Sequence, residues 1–144
     1  MNPSGLLSPT ALACVAGGSA IGAVARFELS RRMVDRLGDH FPWATLTVNV
    51  SGCLAAGVLF GVFLNASPTA WSLLLVAGFL GSYTTVSSFS LETLLLARRA
   101  SRRAAVSYTV FSVAGCIAAA GLGFWLFQQV AGSPMFGPGS VVPG

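Results

Sequence analysis

The sequence predicts an all-α membrane protein with four transmembrane helices, and three observations support this fold class. Only 8% of the residues are charged, whereas a soluble domain carries about 25%. The hydrophobic fraction is 54%, as expected for a surface that faces hydrocarbon. The charged residues also fall into two clusters, and the uncharged stretches are long enough for one, two and one spanning helices: 1–25, 41–91 and 104–144.

The first two spans are predicted at roughly 8–30 and 43–64. Span 1 contains Gly18 and Gly22, a G-x-x-x-G pair. Small residues at this spacing let helix backbones approach closely in lipid, where van der Waals contact drives association. A charged loop at roughly 31–43 is expected to join the two spans.

The third and fourth spans are predicted at roughly 69–97 and 104–130. The stretch 65–68, Asn-Ala-Ser-Pro, is typical of a turn. Because this connection is short, spans 2 and 3 are expected to be antiparallel neighbours. The tail 131–144 is rich in Gly and Pro and is predicted to be disordered. The whole chain, 1–144, is then a single membrane domain.

The charged residues also predict how the protein is oriented in the membrane. All eight arginines flank the loops between spans 1 and 2 and between spans 3 and 4. Four spans place these two loops on one side, and arginine-rich loops favour the cytoplasm. We therefore expect a multi-pass plasma-membrane protein with both termini outside. Because the arginines lie at the ends of apolar spans, they indicate anchoring at the lipid interface and no nucleic-acid binding.

The middle of span 3 predicts a break in the helix at mid-membrane depth. The window 78–90 contains two glycines, six hydroxyl residues and a tyrosine. Non-helical backbone at this depth usually lines a site or a cavity, since its polar groups need partners. Carbonyls between Gly81 and Thr84 can hold a small cation, and nearby hydroxyls can donate to an anion. The alternative is that these hydroxyls bond to the preceding helical turn and connect helices. The hydroxyls considered as donors to an anion are those of Thr84, Thr85, Ser87, Ser88 and Ser90.

Two further side chains in the spans are candidates for binding an anion. Asn49 carries two N–H donors, which suit an anion or a file of water, although an interhelical hydrogen bond is the alternative. Phe89 can turn the positive edge of its ring toward an anion, although ordinary packing is the alternative. In span 4, Tyr108, Ser112 and Cys116 recur every four residues and therefore share one helix face.

Enzymatic activity is not predicted, and neither is an organic cofactor. The single histidine, His40, lies in a loop, so no Ser/His/acid set or Cys/His pair can form within the membrane. The chain has no glycine-rich phosphate-binding loop. The three cysteines are far apart in apolar segments and are interpreted as small packing residues: Cys14, Cys53 and Cys116.

Three separated motifs, in the same order along the chain, resemble the Fluc (CrcB) family of fluoride channels. They are Gly17-Gly18-x-x-x-Gly22-Ala23-x-x-Arg26 in span 1, Pro42-x-x-Thr45-Leu46-x-Val48-Asn49-x-x-Gly52 in span 2, and Gly78-Phe79-x-Gly81-x-x-Thr84-Thr85-x-Ser87-x-Phe89-Ser90-x-Glu92 in span 3. The resemblance implies a small four-helix subunit that pairs antiparallel with a second subunit. It also implies fluoride conduction through two narrow pores at the dimer interface.

The resemblance further implies roles for individual residues. The carbonyls of Gly81 and Thr84 match those that hold a structural sodium ion at the dimer centre. Phe89 matches the second of two pore phenylalanines. Together with the hydroxyls of the third span, the predicted fluoride pore residues are Asn49, Thr85, Ser87, Ser88, Phe89, Tyr108 and Ser112.

The chain departs from the family pattern at two points. Val86 stands where the family has its first pore phenylalanine. The loop charges, eight arginines on one side, predict a single fixed orientation. An antiparallel dimer then needs a second, oppositely biased chain. The sequence thus predicts a fluoride-specific channel subunit with a paralogous partner, giving passive fluoride export and fluoride resistance.

Two alternative functions stay open at this point. Because Val86 replaces a pore ring, the chain can be a non-conducting subunit that only completes the assembly. A small multidrug-type exchanger has the same number of spans, but it needs a carboxylate deep in the bundle. Span 1 offers only Glu28, near its end.

Overall fold

The computed structural model describes residues 8–64 and 69–131, and within them the chain is helical without strands. Four helices are long and apolar enough to cross a membrane, so the predicted all-α, four-span fold is confirmed. The spans are Pro9–Leu37, Trp43–Phe63, Ala70–Arg99 and Arg102–Ala131. The predicted turn at 65–68 and nearly all of the predicted disordered tail lie outside the described residues.

The first helix, α1 (Pro9–Leu37), is longer than predicted and includes most of the segment that was expected to be a loop. Ion pairs one turn apart support this extension, because Glu28 pairs with Arg31 at 3.0 Å and with Arg32 at 2.8 Å. The helix ends at Gly38, whose φ of 74° suits glycine. The loop to the second helix therefore shrinks to residues 38–42, so the loop predicted at 31–43 is wrong in its first half.

The second helix, α2 (Trp43–Phe63), matches its predicted bounds closely. Pro42 precedes it as the N-cap residue, where a missing N–H costs nothing. The last helix, α5 (Arg102–Ala131), also matches its predicted span.

The third span is interrupted where the sequence predicted a break. Its first part, α3 (70–83), is π-helical over Leu73–Leu80, a wider winding that the sequence did not predict. Thr84 and Thr85 are then extended, with ψ of 158° and 120°. The second part, α4 (Val86–Arg99), restarts the helix in the same span.

Glycines bring two pairs of helices into backbone contact. On α1, a Cβ at Gly18 would collide with the carbonyl of Leu74 on α3, and one at Gly22 with the carbonyl of Phe79. The predicted G-x-x-x-G contact is therefore made with α3. Gly17, next in the chain, faces open space. We call the α1–α3 contact the first glycine seam.

The second glycine seam joins α2 and α5. A Cβ at Gly57 would collide with the carbonyl of Ala120, and a Cβ at Gly123 would collide with the carbonyl of Leu54. Because this contact is reciprocal, α2 packs mainly on α5 and touches α3 much less. Spans 2 and 3, although close in sequence, are therefore not the main packing partners in the bundle.

The two charged segments meet at one end of the bundle, as predicted from the even number of spans. Residues of the loop 38–42 and residues between 92 and 100 line a common cavity of about 380 Å³. Elsewhere the outer faces of the helices expose large apolar side chains, including Phe27, Phe111 and Trp125. Such surfaces suit lipid or a partner chain.

Candidate functional site

The helix break is held open by the side-chain amide of Asn49 on α2. Asn49 Nδ2 donates to the carbonyl of Thr85 at 2.9 Å. The amide of Thr85 in turn donates to Asn49 Oδ1, also at 2.9 Å. The interhelical hydrogen bond that sequence reasoning offered as an alternative role is therefore present. Since a carboxamide has two N–H donors, one N–H of Asn49 is still available for a ligand.

This pairing frees the carbonyl of Gly81. In a continuous α-helix, the amide of Thr85 would bond the carbonyl four residues earlier, which belongs to Gly81. Here that amide bonds Asn49 instead. Gly81 is exposed, and a Cβ placed on it would meet only the carbonyl of Val76, at 3.9 Å.

The carbonyl of Thr84 is freed in the same way. Its helical partner would be the amide of Ser88. That amide donates instead to Thr85 Oγ1 at 3.2 Å, because Thr85 caps the N-terminus of α4. Side-chain capture of two amides thus leaves two main-chain carbonyls without their usual partners at mid-span. The predicted sodium ligands Gly81 and Thr84 are the residues that carry these carbonyls.

One cleft beside the break collects several of the predicted pore residues. We call it the Phe89 cleft, and its volume is about 380 Å³. Val86, at the position where the resemblance leads us to expect a phenylalanine, lines the cleft with 78% of its surface exposed. The lining carries no charged side chain. The residues that line it are Asn49, Cys53, Thr84, Thr85, Val86, Phe89, Ser112, Val113, Cys116 and Ile117.

Ser112 contributes an unused hydroxyl to the Phe89 cleft. Ser112 is only 4% exposed. Its Oγ lies near the hydroxyl of Tyr108, but it makes no hydrogen bond of good geometry with any described residue. Leaving a buried hydroxyl unpaired costs about 1–3 kcal/mol, so such groups usually have a ligand or water. As predicted, Ser112 and Cys116 lie on one face of their helix, here turned into the cleft.

A second, more polar cleft of about 310 Å³ lies on the α1 side of Thr85. We call it the Arg26 cleft, because Arg26 from α1 lines it together with Ser87 and Ser88. The hydroxyls of Ser87 and Ser88 lie 3.1 and 3.2 Å from Thr85 Oγ1. Arg26 makes no ion pair with any described residue. The sequence analysis counted it among the interface arginines and did not predict this position.

Glu92 joins α2, α4 and α5 through hydrogen bonds. Thr45 Oγ1 donates to one carboxylate oxygen at 2.8 Å, and Tyr108 OH donates to the other at 3.0 Å. Tyr108 is fully buried. Its ring packs on Phe89, with 5.4 Å between centroids, and on the edge of Phe41. Tyr108 therefore positions Phe89 at the mouth of the cleft.

The structure thus divides the predicted pore residues into groups. Asn49, Phe89 and Ser112 meet in the Phe89 cleft, whereas Ser87 and Ser88 lie in the Arg26 cleft, and Thr85 lines both. Tyr108 lines neither of these clefts and contacts Phe89 and Glu92.

Arg26, Thr45 and Glu92 were named from the sequence only as parts of motifs, and none of them was predicted as a site residue. Their spacing from the predicted residues was the sequence signal that could have identified them. Arg26 follows Gly22 by four residues on the first glycine seam, and Thr45 precedes Asn49 by four residues. Each pair therefore shares one face of its helix.

Comparison with known proteins identifies relatives over most of the chain. A family model described as "CrcB-like protein, Camphor Resistance (CrcB)" matches residues 13–124. The chain is 50% identical over 117 residues to "Fluoride-specific ion channel FluC 2" of Rhodopseudomonas palustris (strain BisB18), covering 76% of this chain and 87% of that protein. It is 46% identical over 121 residues to the protein of the same name from Bradyrhizobium diazoefficiens, covering 80% and 87%. A third relative, "Fluoride-specific ion channel FluC" of Erythrobacter litoralis, is 44% identical over 124 residues.

Proposed function

Because the chain belongs to the CrcB family, we propose that it is a subunit of a fluoride-specific ion channel in the cell membrane. The observation that carries this proposal is the hydroxyl of Ser112, buried and unpartnered in a cleft that also contains Asn49 and Phe89. A small anion bound there receives O–H and N–H donors in place of water. The relatives' names support fluoride as that anion.

Fluoride is strongly hydrated, so a narrow path must replace its water with donors along its length. Arg26, with no ion pair among the described residues, attracts anions into its cleft. The hydroxyls of Ser87 and Ser88 in the same cleft can donate hydrogen bonds to the anion. Ser112 and the spare N–H of Asn49 continue the path in the Phe89 cleft. The inside-negative membrane potential drives the anion outward. Transport is therefore passive, and no nucleotide or catalytic step is needed.

A structural sodium ion fits the freed carbonyls at the break. Gly81 and Thr84 each offer a carbonyl whose helical partner bonds elsewhere. With two carbonyls from each of two antiparallel chains, about four oxygen ligands would be available, which would suit a hard cation. Such an ion would supply positive charge between the carbonyls of the two chains and would stabilise their association. Within this chain, Asn49 and Thr85 keep the carbonyls free.

The partner is a paralogous chain inserted in the opposite orientation. The two charged segments of this chain meet at one end of the bundle, so all arginines bias insertion the same way. An antiparallel partner then needs the opposite bias. Val86 is 78% exposed, so a side chain from the partner has room to lie against it beside the Phe89 cleft.

Fluoride efflux from liposomes tests the proposed function. The full chain, alone and with its paralogous partner, is reconstituted in vesicles loaded with fluoride or chloride, and a potassium gradient with valinomycin sets the potential. We expect rapid fluoride efflux from the two-chain preparation and at least a hundredfold slower chloride efflux. Fluoride efflux no faster than from empty vesicles would refute the proposal.

The same experiment decides whether this chain lines a pore or only completes the assembly. The exposed valine at position 86, in place of a phenylalanine, is the observation that favours a subunit that only completes the assembly. If the chain conducts, disabling the partner's own site leaves about half of the flux, and adding Asn49→Ala in this chain removes the rest. If the chain only completes the assembly, disabling the partner's site alone abolishes the flux.

Cysteine labelling tests the orientation. Ala70 and Ala100 are both exposed and lie at opposite ends of the third span. In a background with the native cysteines replaced by serine, Ala70→Cys is expected to react with an impermeant maleimide from outside the cell. Ala100→Cys is expected to react only after the membrane is permeabilised. Equal labelling of both from outside would mean dual topology.

A further inference from the structure

Two of the three cysteines, which the sequence places 63 positions apart, meet in the Phe89 cleft. Cys53 on α2 and Cys116 on α5 are free thiols. Both side chains line this cleft, Cys53 from the α2 side and Cys116 from the α5 side, so the two thiols face the same space. Cys14, on α1, does not line this cleft. A packing role, as the sequence suggested for all three cysteines, is compatible with this placement, but the pair also offers two thiols to one cleft.

We propose that Cys53 and Cys116 form a binding site for a soft divalent metal ion of the mercuric type, in which the ion bridges the two sulfurs. Thiolates are the ligands that soft metals prefer. The reaction involves no oxidation: two S–H bonds break, two S–Hg bonds form, and two protons pass to solvent. A bridging metal also spans a longer gap than an S–S bond of about 2 Å, so it can join sulfurs that are too far apart for a disulfide.

The charge and geometry of the cleft select the metal. Two thiolates neutralise a dication, and the resulting uncharged complex suits a lining without charged side chains. Mercuric ion accepts two sulfurs in a linear arrangement. Zinc needs four ligands, and the described residues contain no group of three or more His, Cys, Asp or Glu side chains. Zinc and other four-coordinate metals therefore bind less tightly here.

The site also lies beside the proposed anion path. Cys53 is one helical turn after Asn49, and Cys116 is one turn after Ser112. All four side chains line the same cleft. A metal between the sulfurs therefore occupies the space next to both donors. Block of fluoride flux by this metal rests on the proposed function, whereas metal binding itself does not.

The test titrates the purified full-length protein in detergent with mercuric chloride. Sulfur-to-mercury charge-transfer absorption in the ultraviolet reports binding, and a maleimide counts the remaining thiols. We expect one ion per chain, protection of two thiols, and reversal by dithiothreitol. Cys53→Ser and Cys116→Ser should each bind at least 100-fold more weakly, whereas Cys14→Ser, the matched control, should bind as the wild type does.

Three outcomes would overturn the site. They are wild-type affinity in Cys53→Ser or Cys116→Ser, loss of binding in Cys14→Ser, and one ion shared by two cross-linked chains. Fluoride efflux measured on the same variants separates the two proposals. Tight binding in a protein that conducts no fluoride contradicts the proposed function and leaves the metal site in place.

Discussion

The glycine seams and the helix break both bring main-chain atoms of different helices together, but they do so in opposite ways. In the seams, Gly18 and Gly57 lack side chains, and intact helices touch through their backbones. At the break the backbone leaves the helix, and side chains of Asn49 and Thr85 take over its hydrogen bonds. The seams therefore provide packing alone, whereas the break provides free carbonyls and donors. The seams therefore serve stability, whereas the break serves both stability and function.

The largest effect is expected when the first glycine seam is broken. Gly18→Val places side-chain atoms against the backbone of α3, which cannot move aside as a flexible side chain can. We expect a loss of about 3 kcal/mol or more in the free energy of unfolding. It is measured in detergent by circular dichroism during titration with sodium dodecyl sulfate.

The neighbouring glycine provides the matched control for this seam. Gly17→Val adds the same side chain one residue away, where nothing lies within 4 Å. Its unfolding free energy should change by less than about 0.5 kcal/mol. Equal destabilisation by both variants would show that helix propensity, and not the α1–α3 contact, decides stability.

The second effect concerns the amide that holds the break open. Asn49→Ala leaves the amide and carbonyl of Thr85 without partners, and each unsatisfied buried group costs about 1–3 kcal/mol. We therefore expect about 2 kcal/mol or more of destabilisation. Fluoride flux through this chain's pore is expected to fall at least tenfold, because the spare N–H is lost as well.

The control for Asn49 is Thr47→Val, on the same helix two residues earlier. Thr47 lines a different groove, next to Trp43 and Leu46, and valine keeps its shape. Its flux and stability should stay close to wild type. If Asn49→Ala were also neutral in both measurements, its amide would have no role at the break.

The sequence predicted the seams and the position of the break because both depend on local patterns. Gly18 and Gly22 share a face by spacing alone, and the cluster of hydroxyls and glycines around Gly81 marks a weak helix. The extension of α1 was missed because the high charge of residues 31–37 was interpreted as a loop. In the structure, Glu28 pairs with Arg31 and Arg32 and these ion pairs support a helix there. The π-helical winding before Gly81 had no sequence signal that we recognised.

The partners of individual side chains were harder to predict, because they depend on contacts between distant helices. The sequence left two roles open for Asn49, and only the packing of α2 against the break reveals its bond to Thr85. In the same way, the meeting of Cys53 and Cys116 in one cleft requires the register of the second glycine seam. A single sequence does not contain that register.

The third effect separates the capping role of Thr85 from its shape. Thr85→Val removes the hydroxyl that caps α4, which costs about 1 kcal/mol. It also releases the amide of Ser88, which can then bond the carbonyl of Thr84. Replacing sodium with N-methylglucamine should therefore lower the dimer stability of the wild type but change that of this variant little.

Thr85→Ser is the control, because serine keeps the capping hydroxyl. It should retain both the stability and the sodium dependence of the wild type. Dimer stability is measured by subunit exchange between differently labelled proteins. If subunit exchange in the wild type did not depend on sodium, the proposed cation site at the break would be refuted.

The smallest effect on stability, and the sharpest separation of stability from function, is expected at Ser112. Its hydroxyl is buried and makes no hydrogen bond of good geometry with a described residue, and the nearby Tyr108 hydroxyl donates to Glu92 instead. Ser112→Ala therefore removes a desolvated polar group and breaks no well-formed hydrogen bond. The unfolding free energy should stay unchanged or rise slightly, while fluoride flux through this chain's pore falls about tenfold.

Thr109→Val is the control on the same helix, since its hydroxyl bonds the carbonyl of Ala105 at 2.9 Å within that helix. Its flux should match the wild type. A Ser112→Ala variant that keeps wild-type flux would mean that this hydroxyl does not touch the conducted ion, and the path through the Phe89 cleft would then rest on Asn49 alone.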